Sequence, residues 1–182
     1  VHEAPVYFSN PKNSGTGEYG DYSDLDERLW AAVEMFYLAK SLGEDSEKYK
    51  SHAYKLLKKD VFVVDFGWTE VGGFASLAVL SDSQKAMGEE IYSICKAAVL
   101  EEAERLLTLG RLNAFDMGMA PEDFCWGSNM VVTNRGILWS LAYELTGKEA
   151  YAEAVQSHVD YLFGKNATLY SYVTGFGENA YK

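Results

Sequence analysis

The chain has 182 residues, of which 48% are hydrophobic and 14% aromatic, and its formal net charge is −11. This hydrophobic content is sufficient for one core of ordinary size, so we expect one domain or part of a larger one. The negative charge disfavours binding to nucleic acid and to anionic membranes, and no apolar run reaches the roughly 18 to 20 residues that span a bilayer.

The first half of the sequence predicts a loop-rich lead-in over residues 1–22, followed by helices. Ser23 is a suitable N-cap, acidic residues follow it in the first turn, and Gly43 ends that helix. The short apolar run 61–66 is interpreted as an extended connector, because no similar second strand is present to pair with it. The predicted helices of this half are 23–43, a second helix that starts at Asp45 or Ser46 and runs to Leu57, and 72–80.

The second half predicts three more helices. One is capped by residues 81–83 and runs to about Leu109, and a loop over 110–127 leads to an apolar helix over 129–145. The last helix, 148–163, is amphipathic, and its predicted buried stripe consists of Tyr151, Val155, Val159 and Leu162. A buried helix beside a half-exposed one indicates two concentric layers.

A weak internal repeat supports helical hairpins. Residues 38–43 precede a helix that carries Tyr49 and His52, and the similar residues 141–147 precede one that carries Tyr151 and His158. Repeated hairpins favour an all-α fold of the α/α barrel type. An irregular helical bundle is the alternative.

Several motifs in this order resemble the glycoside hydrolase family 9 cellulases over nearly the whole chain. Residues 19–32 resemble the family's Asp-Glu-x-x-Trp-Ala-Ala helix start, and Trp68 lies where the family has a Trp-Asp turn. Residues 126–129 match its Trp-Gly-Ser-Asn motif. Residues 164–166 and 171–175 match the segment before its His-Arg loop.

The resemblance implies a barrel of six α-hairpins, an (α/α)6 barrel, of which this chain would form about half. It also implies cleavage of β-1,4-glucans with inversion, which needs an Asp base and a Glu acid. The family segments that carry both carboxylates are not matched here, so we expect no catalytic residue in 1–182 and no activity of this segment alone. We expect a single partial domain whose exposed inner helices are covered by the rest of the barrel or by a second copy.

The resemblance further implies structural calcium, the one cofactor that we expect. Carboxylates and backbone oxygens are the ligands that calcium prefers. The residues at the family's ligand positions are Asp26 and Glu27, through their carboxylates, and Tyr22 and Ser23, through their backbone oxygens. A further family Asp is replaced here by Thr69, with Glu70 next to it as a possible substitute. The alternative is that these acids only cap a helix.

Exposed aromatic side chains are expected to stack on glucose rings. The substrate-binding candidates are Trp126, Trp68, Tyr19 and Tyr22. By contrast, Trp30 and Trp139 lie at helical spacing within apolar stripes, which is typical of core residues. The expected ligand is therefore a β-1,4-glucan polysaccharide or oligosaccharide.

Other reactive residue types have simpler interpretations. Cys95 and Cys125 have no disulfide or metal spacing, so both are expected to be buried thiols. His158 has no neighbouring ligand at zinc spacing, and Asp123 is interpreted as a loop charge rather than an acid or base. Asn166 begins a short glycosylation sequon that matters only in a eukaryotic secretory host.

Two functions remain open at this point. The first is a segment of a β-1,4-glucan hydrolase that supplies aromatic subsites and a calcium site. The second is a noncatalytic helical carbohydrate-binding or assembly module that derives from such a barrel. In either case we expect a secreted protein, and residues 1–5 lack the basic and apolar regions of a signal peptide, so the signal would lie outside this chain.

Overall fold

The computed structural model describes residues 6–15, 19–59 and 64–180. These residues are mostly helical, which confirms the predicted all-α class. The elements are β1 (Phe8–Ser9), β2 (Gly20–Asp21), α1 (Leu25–Leu42), α2 (Glu47–Leu57), α3 (Gly72–Ser81), α4 (Glu89–Gly110), a 3-10 turn (Pro121–Asp123), α5 (Ser128–Thr146) and α6 (Glu149–Leu162). The chain divides into two compact units, residues 1–95 and 96–182.

In the first unit, α1 packs against both α2 and α3. Its inner face is formed by Leu29, Val33 and Phe36, which are almost fully buried and recur at helical spacing. The helix ends as predicted at Gly43, which adopts the left-handed conformation that glycine reaches without steric cost. Asp24, rather than Ser23, occupies the N-cap position of α1.

The lead-in differs from the predicted loop because two short strands pair within it. β1 and β2 are antiparallel, with Phe8 opposite Asp21 and Ser9 opposite Gly20. A further bond from the backbone N–H of Asn10 to the carbonyl of Tyr19, at 3.0 Å, extends the ladder. The pairing was not visible in the sequence because each strand is only two residues long and shows no alternation.

A close backbone approach explains Gly73 at the start of α3. A Cβ atom on Gly73 would lie 2.3 Å from the carbonyl oxygen of Asp65, and the Gly73 N–H donates to that same oxygen at 2.6 Å. Glycine is therefore required where α3 begins against the preceding segment. The first residues of the predicted connector, 61–63, lie outside the described residues.

α4 begins at Glu89, after the segment 81–83 that was predicted to cap it. Instead of capping a helix at 81–83, the carboxylate of Asp82 accepts hydrogen bonds from the backbone N–H groups of Gln84 and Ala86 and from the hydroxyl of Tyr37. These bonds close a turn, which competes with helix formation at such residues. α4 then begins at Glu89.

In the second unit, α5 and α6 form a hairpin. Trp139 of α5 is completely buried, its Nε1–H donates to the carbonyl of Ala103 at 3.1 Å, and its ring meets the His158 ring edge-on. The core assignment of Trp139 is therefore confirmed. The other tryptophan assigned to the core, Trp30, is half-buried and stacks on Phe74.

The predicted buried stripe of α6 is wrong in part. Tyr151 is buried as expected, but the helix turns Ala154 and His158 inward, whereas Val159 is 42% exposed. Residues 151, 154 and 158 follow helical spacing as well as the predicted set does. Because valine is apolar, Val159 was predicted to be buried in place of the neighbouring His158. His158 is tolerated inside because both its ring nitrogens have partners.

The two thiols differ in their surroundings. Cys95 is buried as predicted, and burial raises the pKa of its thiol to about 11. Cys125 is exposed, which corrects the prediction, because it lies in the loop before α5 and not in a helix. Within the described part of the chain, every helix is too short or too polar to cross a membrane.

Candidate functional site

The first unit places an acidic cluster at the start of α1. Asp26 is only 3% exposed, and its Oδ2 accepts a hydrogen bond from the backbone N–H of Val71 at 2.7 Å. Val71 is the N-cap residue of α3, so this bond joins the starts of two helices. Asp26 therefore has a structural role regardless of any metal.

Glu27 is electrostatically the most unusual carboxyl group of this cluster. Burial raises the pKa of Glu27 to about 7, and the negative charges of Asp26 and Asp21 contribute to the increase. Its Oε2 atom is buried and has no hydrogen-bond partner among the described residues. A buried carboxylate oxygen without a partner beside two other acids is an arrangement that a cation would stabilise.

Glu70 belongs to the same electrostatic cluster. Burial raises its pKa, as do the charges of Asp26, Asp21 and Asp65. Glu70, which follows Thr69, therefore places a further carboxylate close enough to the acids at the start of α1 for their charges to raise its pKa. Asp65 was not identified from the sequence as a member of this cluster, and it enters here through its charge on Glu70.

The remaining metal candidates have ordinary local roles. The Ser23 hydroxyl accepts a hydrogen bond from the Leu25 N–H at 3.3 Å, and the Ser23 N–H donates to Asp21 Oδ1 at 3.0 Å. Tyr22 is 83% exposed. No set of three or more His, Cys, Asp or Glu side chains in the described ranges is already arranged to hold a metal ion.

The aromatic candidates of the first unit form two exposed pairs. Tyr19 and Trp68 meet edge-on with ring centroids 5.6 Å apart, and they are 46% and 59% exposed. Tyr22 pairs with Tyr7, whose ring centroid lies 5.2 Å away. Tyr7, Tyr19 and Tyr22 line an open depression of about 740 Å³ together with residues 9–15. Tyr7 was missed from the sequence because it precedes the matched motif.

The remaining aromatic candidate, Trp126, lies in the second unit. It is 93% exposed at the end of the loop that precedes α5. The next residue, Gly127, is the N-cap of α5 in the left-handed conformation, so the chain turns sharply directly after the indole. This geometry presents the whole indole to the solvent, which suits stacking on the apolar face of a ligand.

Asp123 is held in an ion pair and is not placed as an acid or base. Its Oδ2 lies 2.7 Å from Arg135 Nη1 and also accepts the Ala120 N–H at 2.7 Å. Partial burial of Asp123 acts to raise its pKa, but the hydrogen bond from the Arg135 side chain outweighs this effect, so the pKa of Asp123 is lowered. Arg135 was missed from the sequence because nothing in a helical arginine indicates a partner 12 residues away.

Asn166 is also structural. It is 2% exposed, and its Nδ2 donates to the carbonyls of Tyr161 and Tyr170 at 2.7 and 2.9 Å. A side-chain amide that closes a turn inside the fold is not available for glycosylation in the folded state, so the sequon has a packing function here.

The helical hairpins define an all-α protein of the (α/α) barrel type, and each of its two units carries an exposed tryptophan, Trp68 in the first and Trp126 in the second. The chain belongs to the family described as glycosyl hydrolase family 9, whose sequence model matches residues 2–182. The predicted family resemblance is therefore confirmed.

Similar proteins agree with this assignment. The chain is 32% identical over 186 residues to a cellodextrinase of Butyrivibrio fibrisolvens, covering 97% of this chain and 34% of that protein. It is 34% identical over 169 residues to endoglucanase C of Cellulomonas fimi, covering 91% of this chain and 15% of that protein. A solved thermostable endoglucanase from Alicyclobacillus acidocaldarius, a single mutant, has a TM-score of 0.80 at 33% identity, covering 96% of this chain and 32% of that one.

The structural similarity confirms the predicted fold class, in which the hairpins form part of an (α/α)6 barrel. The chain spans about a third or less of the length of these relatives. The comparisons leave the single partial domain over 1–182 as a prediction.

Proposed function

We propose that this chain is a segment of a β-1,4-glucan hydrolase that cleaves cellulose-type linkages with inversion, and that it contributes aromatic sugar subsites. The observation that carries the proposal is the near-complete exposure of Trp126 at the turn into α5 in a family 9 hairpin. The relatives named for cellodextrins and glucans support the substrate class. The alternative of a noncatalytic module has no observation that favours it.

We also propose that proton transfer is not performed by this segment. Asp123 is held by Arg135, and Glu104 is bound by Lys148 and Tyr151, so these carboxylates are engaged in structural contacts. The purified 182-residue chain is expected to release no reducing sugar from a soluble β-1,4-glucan. Steady release that persists through repurification would contradict this, and Asp26 and Asp123 would then be the first residues to replace.

Trp126 is proposed to stack on a glucose ring. Replacing it by alanine removes the exposed indole face, and we expect about a tenfold weaker affinity for cellohexaose, which corresponds to roughly 1.4 kcal/mol. Isothermal titration calorimetry measures the change. The matched control is Phe124→Ala, which removes another exposed aromatic ring two residues earlier in the same loop and is expected to leave the affinity unchanged. Equal affinities of wild type and Trp126→Ala would exclude this subsite.

The paired aromatics of the first unit are proposed as additional subsites. Tyr19 and Trp68 support each other edge-on, so a ligand would meet a surface that is already ordered. Tyr22 is a further candidate for stacking on a sugar ring, because it is 83% exposed.

We propose a structural calcium ion at the acidic cluster of the first unit. The fit is supported by the unpartnered buried oxygen of Glu27, and by the burial and neighbouring negative charges that raise the pKa values of Glu27 and Glu70. The residues that would hold the ion are Asp26, Glu27 and Glu70, with backbone oxygens of Tyr22 and Ser23. Calcium would supply positive charge that neutralises the cluster and joins the starts of α1 and α3.

Two further properties are proposed for the parent protein. The first is a partner for the apolar stripe of α1, where Met35, Leu38 and Leu42 are exposed at helical spacing. Further hairpins of the barrel or a second copy of the chain would cover it, since such a stripe is normally buried.

The second is an extracellular location, because a polymeric glucan is too large to enter a cell before it is cleaved.

A further inference from the structure

One glycine of the second unit is held from several sides. The N–H of Gly118 donates to His158 Nε2 at 3.1 Å, and its carbonyl accepts a hydrogen bond from Arg135 Nη1. A Cβ atom at this position would lie 2.6 Å from Cη2 of Trp139. Residues from both α5 and α6 therefore determine where the backbone of residue 118 lies.

The same arginine holds the chain at two later points. Arg135 Nη1 lies 3.3 Å from Met119 Sδ and 2.7 Å from Asp123 Oδ2. Arg135 and Asp123 retain only 15% and 21% of their side-chain exposure, so the ion pair is shielded from solvent and is worth more than a surface pair. One guanidinium thus contacts three residues of the segment 118–127 before α5, which we call the Trp126 loop.

Short backbone bonds carry this constraint from Asp123 to Trp126. The Cys125 N–H donates to the Asp123 carbonyl at 3.0 Å, and the Ser128 N–H donates to the Cys125 carbonyl at 3.1 Å. Trp126 therefore lies between an anchored carboxylate and the first turn of α5. Its indole has 93% exposure and few contacts of its own, so its orientation depends on these anchors.

We propose that Arg135, Asp123 and His158 are positioning residues that orient the Trp126 loop for sugar binding. This inference rests on the proposed role of Trp126 as a glucose subsite. His158 acts as a neutral imidazole, because Nε2 accepts from Gly118 while Nδ1–H donates to the Val132 carbonyl at 2.8 Å. Burial lowers the pKa of His158 to about 4, which keeps the ring uncharged at neutral pH.

The test labels the chain with 5-fluorotryptophan and follows the Trp126 resonance by fluorine NMR, with its assignment from Trp126→Phe. We expect Arg135→Gln to shift or broaden the Trp126 resonance while the resonances of Trp30 and Trp68 stay in place. Arg135→Lys is expected to restore the signal in part, since it keeps the charge but not the planar fork. Arg111→Gln is the control, because Arg111 is an exposed arginine of the same unit.

Asp123→Asn provides a milder second variant that keeps the side-chain shape, so a folding failure of Arg135→Gln does not end the test. Cellohexaose affinity is then measured in a double-mutant cycle with Trp126→Ala. Positioning predicts that Asp123→Asn weakens binding severalfold in the wild-type background and has no effect once Trp126 is removed. An equal loss in both backgrounds, or an unchanged Trp126 resonance in both Asp123→Asn and Arg135→Gln, would overturn the inference.

The two proposals fail in different ways. If Trp126→Ala leaves cellohexaose binding unchanged, the proposed subsite is wrong, and the fluorine resonance alone decides whether the anchors orient the indole. If Trp126→Ala weakens binding but the anchor variants do not, the subsite stands and the positioning role is wrong.

Discussion

Calcium is expected to raise the free energy of unfolding of this chain, and Glu27→Gln is expected to remove most of that response. A ligand that binds only the folded chain stabilises it by about 2.7 kcal/mol when its free concentration is 100 times the dissociation constant. Glu27 is the group whose buried oxygen has no partner among the described residues and whose pKa is raised to about 7. Urea denaturation with and without calcium measures the effect.

The choice of Glu27 over Asp26 makes this test specific. Asp26→Ala would also remove the acceptor for the Val71 N–H, so it would destabilise the fold without any metal. Glu27→Gln retains the size of the side chain and removes its charge. Glu44→Gln is the matched control because Glu44 is an exposed glutamate of the same unit. Equal stability with calcium and with chelator in the wild type would exclude the site.

The pH dependence provides an independent view of the same carboxyl group. The folded chain holds the Glu27 proton more tightly than the unfolded chain, in which the pKa of this group is near 4.5. Its contribution to stability is therefore fully present below pH 4.5 and is lost as the pH rises to about 7. Bound calcium would favour the carboxylate and suppress this loss, and Glu27→Gln would remove it in the absence of the metal.

Trp139→Ala is expected to destabilise the second unit by about 3–5 kcal/mol, the range for removing a large buried aromatic side chain. Trp139 is completely buried, contacts the His158 ring with centroids 4.7 Å apart and donates to the Ala103 carbonyl. Its removal leaves a cavity beneath Gly118, the residue held by Arg135 and His158. Denaturant unfolding measured by far-UV circular dichroism gives the change.

Trp139→Phe separates the two contributions of this side chain. It retains most of the apolar packing and removes the indole N–H, so we expect a loss of about 1–2 kcal/mol relative to wild type, well below that of the alanine variant. If alanine and phenylalanine cost the same, the hydrogen bond rather than the packing would dominate at this position.

The helices and the family were predictable because they depend on local patterns. Gly43 ended α1 as expected, since only glycine adopts the left-handed conformation there without steric cost. The Trp-Gly-Ser-Asn motif at 126–129 indicated the family, and the comparison with known proteins confirmed it. Each of these signals is contained within a few residues, so none requires knowledge of the fold.

The candidate site was predictable only in part. Asp26 and Glu27 could be selected from their motif, but the bond from Val71 to Asp26 joins residues 45 positions apart, and no sequence pattern indicates it. The predicted buried stripe of α6 was wrong in part for a related reason. By hydrophobicity alone, Val159 is expected to be buried in preference to His158. The fold reverses that order, because it provides partners for both nitrogens of His158 and leaves Val159 exposed.

By itself the sequence determined the helical class, most helix ends and the family. These follow from helical periodicity, capping and short motifs, all of which act over a few residues. Only the tertiary structure decided that burial and neighbouring acids raise the pKa of Glu27, that Tyr19 contacts Trp68, and that Arg135 holds the Trp126 loop. Each depends on side chains from distant parts of the chain, whose proximity is set by packing and by the burial of charge.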